Sequence, residues 1–254
     1  MKTLSTYITE GLKIGKKYRQ NKTYNYHPKD KEELREIIKQ LLEERGKDAD
    51  LNDIDTSAVT DMSDLFKGLQ PSNIDISNWD VSNVTDMEGM FSFCKNFNSD
   101  LSNWDVSNVI NASYMFRYCH NFNSDISDWD VGRVETMEYM FYFCEHFDCD
   151  LSQWDVSNVT NMQGMFGSCK EFNSDLSQWD VSNVGNMAYM FEYCDKFNSD
   201  ISKWNVNNVT TMQGMFSHCI NFNSDLSDWN VRKVTTVRDM FFNCWALENK
   251  PSWW

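Results

Sequence analysis

The sequence predicts an α/β repeat solenoid of about eight stacked 25-residue coils, because four residue types recur at one fixed step. Tryptophan stands at Trp79, Trp104, Trp129, Trp154, Trp179, Trp204 and Trp229, always 25 residues apart. Met-Phe pairs keep the same step from Met90-Phe91 through Met115-Phe116 to Met240-Phe241. Cysteine follows it from Cys94 through Cys169 to Cys244, and no insertion breaks the register. A worn unit before Trp79 carries Leu51, Val59 and Leu65-Phe66 in the matching places, so the array spans residues 50–250. One such unit cannot bury its own Trp, Met and Phe; stacked units share a continuous core.

Within a unit, Met87, Met90, Phe91 and Cys94 fall at i, i+3, i+4 and i+7, the spacing of a buried helical face. Thr85 followed by Glu88 resembles a capping box at its start. Phe97 to Ser102 then alternates apolar or small residues with polar ones, as a half-buried strand does. Trp104, Val106 and Val109 line a bend into the next helix. The expected coil is therefore a short strand, a turn and a short helix.

The ends differ from the array. Residues 26–49 are expected to form an N-terminal capping helix with Leu34, Ile37, Ile38, Leu41 and Leu42 on its apolar stripe. Asp30 with Glu33 supplies its capping box and Gly46 its stop. Residues 251–254 form a C-terminal tail, and Trp245, Leu247, Trp253 and Trp254 are expected over the last coil. Residues 1–25 form a leader with Leu4, Tyr7, Ile8 and Leu12 ahead of a basic run from Lys13 to Lys22. It reads either as a tail packed on the cap or as a docking peptide for a larger assembly.

A formal net charge of −15 argues against a nucleic-acid partner, since phosphate neutralisation needs a basic face. It argues equally against an anionic membrane surface. No apolar stretch approaches the ~20 residues of a membrane helix, so no membrane insertion is expected. Met1 to Lys17 lacks the continuous apolar core of a secretory signal, and no cysteine precedes Cys94 to be acylated. On that ground the chain is expected in the cytoplasm or carried in an assembly. No phosphate-cradling glycine loop or metal motif appears, so neither an enzyme, a cofactor nor a metal is expected.

The repeat cysteines lack the close pairs of a zinc site and read as buried free thiols. Cys149 replaces a serine of the other repeats and is expected to be more accessible. One aspartate column runs from Asp75 through Asp100 to Asp225; a second runs from Asp80 to Asp180 and switches to Asn205 and Asn230. Turn chemistry is the expectation for both. A calcium site remains an open alternative for the first.

Positions that vary between coils with identical cores are not dictated by packing. They carry Tyr114, Tyr118, Tyr139, Tyr142, Phe143, Tyr189 and Tyr193, punctuated by Gly89, Gly164 and Gly214. Such rings on a rigid stack suit a protein or glycan partner, and these seven are the expected partner-binding residues. The open alternative is that they cover the seam between adjacent helices. His120, His146 and His218 share no geometry and are expected to be solvated.

The run Asn103 to Val109 (Asn-Trp-Asp-Val-Ser-Asn-Val), the Thr85-Asp86-Met87 segment, Met-Phe-x-x-Cys and Phe-Asn-Ser-Asp-Leu together resemble the BspA-like leucine-rich-repeat surface proteins. The resemblance implies a leucine-rich-repeat-type solenoid, a role in adhesion or protein binding, and a place on the cell surface. The export signal and wall-anchoring tail usual in that family do not occur in this sequence. The leader, Met-Lys-x-Leu-x-x-Tyr-Ile-x-Glu, is similar to leaders on proteins of large tailed phages that infect gut bacteria. The functional expectation is a non-catalytic protein-binding or adhesion module. The alternative is a structural or accessory component of an assembly such as a tailed-phage particle.

Overall fold

Asp30, extended in its backbone, accepts the Glu33 amide on its carboxylate at 2.9 Å and so starts helix α1, Lys31–Arg45. This is the first helix among the described residues of the computed structural model, which are 23–248 and 250–254. Gly46, at φ 89°, ends the helix and returns its amide to the Leu42 carbonyl. Leu34, Ile38 and Leu41 face inward with no exposed surface. The leader, apart from residues 23–25, lies outside the described residues.

Beyond α1 the α/β leucine-rich-repeat solenoid does not form. Among the described residues α1 is the one α-helix and there is no strand. Neighbouring coils meet instead at isolated parallel bridges 25 residues apart, from Asp61 with Asp86 to Thr211 with Thr236. The expected helix and the expected strand fail for different reasons.

The helix fails at two backbone positions. Gly89 and Phe93 adopt φ of 58° and 65°, and the same pair is left-handed in every coil, from Asp64 and Gly68 to Asp239 and Asn243. A right-handed helix cannot pass through such residues. The chain closes three successive turns instead, with Met90 bonded to Met87, Ser92 to Gly89 and Cys94 to Phe91. The intervening amides of Met87, Gly89, Phe91 and Phe93 point along the stack. They donate to Asn111, Ser113, Met115 and Arg117 of the next coil at 2.7–2.9 Å. Met87, Met90, Phe91 and Cys94 are still fully buried, because this ribbon of turns offers the same inward spacing as a helix.

The strand fails because side chains intercept its ladder. The Asn123 amide bonds Asn98 Oδ1 rather than a carbonyl, and the Leu101 amide bonds Ser124 Oγ. Asp100 accepts from the amide and hydroxyl of Ser102, which turns the chain away. Burial nonetheless alternates as expected, with Phe97, Ser99 and Leu101 inside.

Identical coils stack identical side chains. Trp79, Trp104, Trp129 and Trp154 form a ladder with ring centroids 6.4–6.5 Å apart and planes within 4°. Trp253 continues it past Trp229. A second ladder, from Phe66 to Phe241, fills the centre at 5.1–5.9 Å. Each buried Trp needs an acceptor for its indole N–H. Trp104 finds it in the Ile76 carbonyl, 28 residues back, and Trp129 in that of Leu101.

The cysteines reach back by the same step. Cys119 Sγ donates to the Phe91 carbonyl at 3.0 Å and Cys194 to that of Phe166 at 2.9 Å. All eight thiols are free. Burial pushes the Cys94 thiol up to about 12 and that of Cys244 to about 11, and holds Cys119, Cys144, Cys194 and Cys219 well above the usual thiol range. Cys149 does another task. Its sulfur accepts the Ile126 amide, as the hydroxyls of Ser124, Ser174, Ser199 and Ser224 accept the corresponding amides in other coils.

A stack in which each turn ribbon donates forward leaves unpaired carbonyls on its first coil. Helix α1 supplies the missing donors. Arg35 bonds the Leu65 carbonyl, that of Asp64 at 2.6 Å and that of Lys67 at 2.7 Å. Leu65 and Lys67 are where a preceding coil would have donated. Lys31 bonds Asp61 and Ser63 beside them, both at 2.7 Å.

Replacing Arg35 with Met keeps the apolar stem and removes those donors. The expected cost is about 1–3 kcal/mol, the penalty for stranded polar groups, with faster amide exchange confined to residues 62–69. An unchanged melting temperature with unchanged exchange there contradicts the end-sealing role. Thiol labelling of the native chain should reach Cys149 and Cys244 first, since these two are half-buried, and Cys119 or Cys194 only on unfolding. Equal rates at all eight would overturn the thiol assignment.

Candidate functional site

The two left-handed positions of each coil place their side chains on one outer face of the stack. The first position carries Tyr114, Tyr139 and Tyr189, with Gly89, Gly164 and Gly214 in the same column; the second carries Phe93, Tyr118, Phe143, Tyr193 and His218. Glycine takes this conformation freely, whereas a residue with a Cβ pays roughly 1–2 kcal/mol. Tyrosine and phenylalanine therefore sit where glycine is the cheaper residue.

The structure brings five of the seven expected residues together. Tyr118 lies between Phe93 and Phe143, with centroids 4.9 Å away on either side. Tyr114 stacks on Tyr139 at 5.6 Å. Tyr142 stands between the two ladders, nearly perpendicular to Tyr118, Tyr139 and Phe143. Tyr189 and Tyr193 lie beyond the coil of Gly164, Gly167 and Ser168, and among the described residues no ring contact joins them to the five. Tyr193 stacks on His218 at 4.1 Å.

Most of these rings are half-buried; Phe93 and Tyr193 are the open ones, at 38% and 42% exposure. The rings lean toward the next coil. Tyr139 occupies the space a methyl would need at Gly164, Tyr142 does so at Gly167 and Tyr189 at Gly214. They thus cover a seam, though between turn ribbons and not between helices.

Sequence reasoning missed the group at the centre. The Arg117 guanidinium carbon lies 5.1–6.0 Å from the centroids of Phe93, Tyr114, Tyr118, Tyr139 and Tyr142. Two polar side chains fix the flanking phenols. Tyr114 donates to Glu138 at 2.9 Å, and Gln163 donates to the Tyr139 hydroxyl at 2.7 Å. The signal in the sequence was the one arginine at a position otherwise holding Lys, Ser, Tyr, Gly, Glu or Phe.

The aspartate columns resolve into turns. Asp125 accepts the Ser127 amide and hydroxyl, Asp105 those of Ser107, and Asn205 the Asn207 amide. These donors hold the Asp125 carboxyl below its ordinary range. Among the described residues no three His, Cys, Asp or Glu side chains are grouped to hold a metal ion. His120 faces Glu145 at 3.7 Å, and His146 is exposed. No described helix is long and apolar enough to cross a membrane.

The sequence profile of a family described as Mycoplasma protein of unknown function, DUF285, matches residues 34–154 and again residues 140–254. No curated protein matches the chain.

The two central phenols have a measurable signature. Burial first, then the bond to Glu138, pushes Tyr114 up to about 12; burial, then the charge of Glu192, does the same for Tyr142. A phenol that holds its proton longer when folded contributes stability that is complete below pH 10 and lost as pH rises to about 12. Alkaline titration of tyrosinate absorbance should show a late phase that Tyr142→Phe reduces. A single transition at the ordinary phenol range, unchanged by that substitution, would contradict the packed cluster.

Proposed function

We propose that this chain, which belongs to the DUF285 family of Mycoplasma proteins of unknown function, is a non-catalytic protein-binding module of the adhesion class. It meets its partner along the aromatic face of the middle coils, with Tyr114, Tyr118, Tyr139, Tyr142, Phe143, Tyr189 and Tyr193 as the contact residues. The resemblance to BspA-like surface proteins supports the same class.

One observation carries this reading. Six of the seven rings, all but Tyr142, occupy left-handed positions at which other coils of the same protein use glycine or serine. Coil closure therefore does not require them, and each costs backbone strain. Rigid tyrosines offer much contact area for few rotatable bonds, which is what interface anchors supply. The seam-covering role is favoured by the contacts with Gly164, Gly167 and Gly214, and it accounts for one side of Tyr139, Tyr142 and Tyr189. Phe93 and Tyr193 also stack on the next coil, on Tyr118 and His218, but seam-covering does not account for the exposure they keep.

The double variant Phe93→Gly with Tyr193→Gly separates the two roles. Relief of left-handed strain, about 1–2 kcal/mol per residue, roughly offsets the lost stacking of about 0.5–1.5 kcal/mol. The melting temperature should hardly move. Wild-type and variant chains, immobilised at equal density, are exposed to extracts of the cells that make the protein and of cells they contact. A protein retained by the wild type should bind the variant at least tenfold more weakly, about 1.4 kcal/mol. Equal retention by a folded variant would remove the aromatic face from the proposal.

A further inference from the structure

Arg117 is a cation that the fold surrounds without giving it an acceptor. Several cations of this acidic chain find carboxylates, as Lys31 does with Asp61, Arg45 with Asp53 and Lys170 with Glu145, and Arg35 finds carbonyls. The Arg117 side chain makes no hydrogen bond or ion pair among the described residues. Its Nε is sealed from water and unpartnered, while the residue as a whole is half-buried, so its terminal nitrogens are the part left to the surface.

The five rings satisfy only half of the group's chemistry. Aromatic π faces attract a guanidinium but offer no acceptor to the N–H donors in its plane. Those donors form a fork that matches a carboxylate with two parallel hydrogen bonds. The Glu138 carboxylate is already held, by Tyr114 and by Asn161 at 3.0 Å. We propose that Arg117 is the receptor for a carboxylate on an acidic side chain of the protein partner, with the surrounding rings excluding water from the pair. This rests on the reading of the aromatic face as the partner-facing surface.

Ring geometry favours a protein over a glycan. Sugars stack on open ring faces, and the central faces here are taken. Tyr118 is covered on both sides by Phe93 and Phe143, and Tyr139 lies between Tyr114 and Gly164. The surface therefore offers ring edges around a guanidinium fork, which suits an acidic side chain flanked by peptide.

Titrating the arginine-labelled full chain with N-acetyl-glutamate amide, N-acetyl-glutamine amide and a sialoside, while following the Arg117 Nε–H resonance, tests this directly. The glutamate probe should shift that resonance saturably and bind at least tenfold more tightly than the glutamine probe. Arg117→Lys, which keeps the charge but loses the fork, should weaken the glutamate probe by a similar factor, read from the shifted resonances of the surrounding tyrosines. No saturable shift, or equal binding of the glutamate and glutamine probes, overturns the inference. Tighter binding of the sialoside overturns it in favour of a glycan. If the glutamate probe fails while the Phe93→Gly, Tyr193→Gly variant still loses its partner, the carboxylate falls and the aromatic face stands. If that variant keeps its partner, the aromatic face itself is wrong.

Discussion

The direction of four amides in each turn ribbon is the constraint on which this structure depends. A helix satisfies its amides internally, so a stack of helices must be held by side chains. Here two left-handed residues per coil rotate alternate amides out of the local turns and aim them at the next coil. Phe91 to Met115, Phe116 to Met140 and Phe141 to Met165 are successive links of one chain of bonds at 2.9 Å. The stack is thereby given a fixed rise and a direction. Everything inside must repeat at the same step, which is why Trp, Phe and Cys occur without a break in register.

Direction has consequences at the first coil and at the surface. A forward-donating ribbon strands carbonyls at its first coil, and the bonds of Arg35 to the Leu65 and Lys67 carbonyls answer that need. At the surface the same left-handed residues project side chains side by side, so any ring placed there meets the ring of the next coil. The aromatic face is a by-product of the backbone in its spacing and a choice of sequence in its content. Gly164 and Gly214 show that the position works without a ring, so Tyr139 and Tyr189 are additions.

Much of this organisation was legible in the sequence. The period placed the Trp and Phe ladders, and the capping box at Asp30 with the stop at Gly46 located α1. The aspartate columns, expected in turn chemistry, close turns on the serines two residues on. The helix at 85–94 was misread because Met87, Met90, Phe91 and Cys94 fit a helical face and a chain of three-residue turns equally well. Only the glycines at positions 89, 164 and 214, sharing a column with tyrosine, distinguished the two. The strand at 97–102 was misread because alternation reports burial and says nothing about whether amides find carbonyls or side-chain oxygens. Arg35 and Arg117 escaped notice for a shared reason: their importance lies in which acceptors surround them, and no spacing along the chain encodes that.

Scalar couplings across hydrogen bonds, measured on a deuterated chain labelled with nitrogen-15 and carbon-13, test the central claim most directly. The account expects the amide nitrogen of Phe141 to couple to the carbonyl carbon of Met165 in the next coil, and that of Phe116 to Met140. Coupling of Phe141 to the carbonyl of Met137, four residues back, would show a helix closing on itself and contradict the forward-donating ribbon.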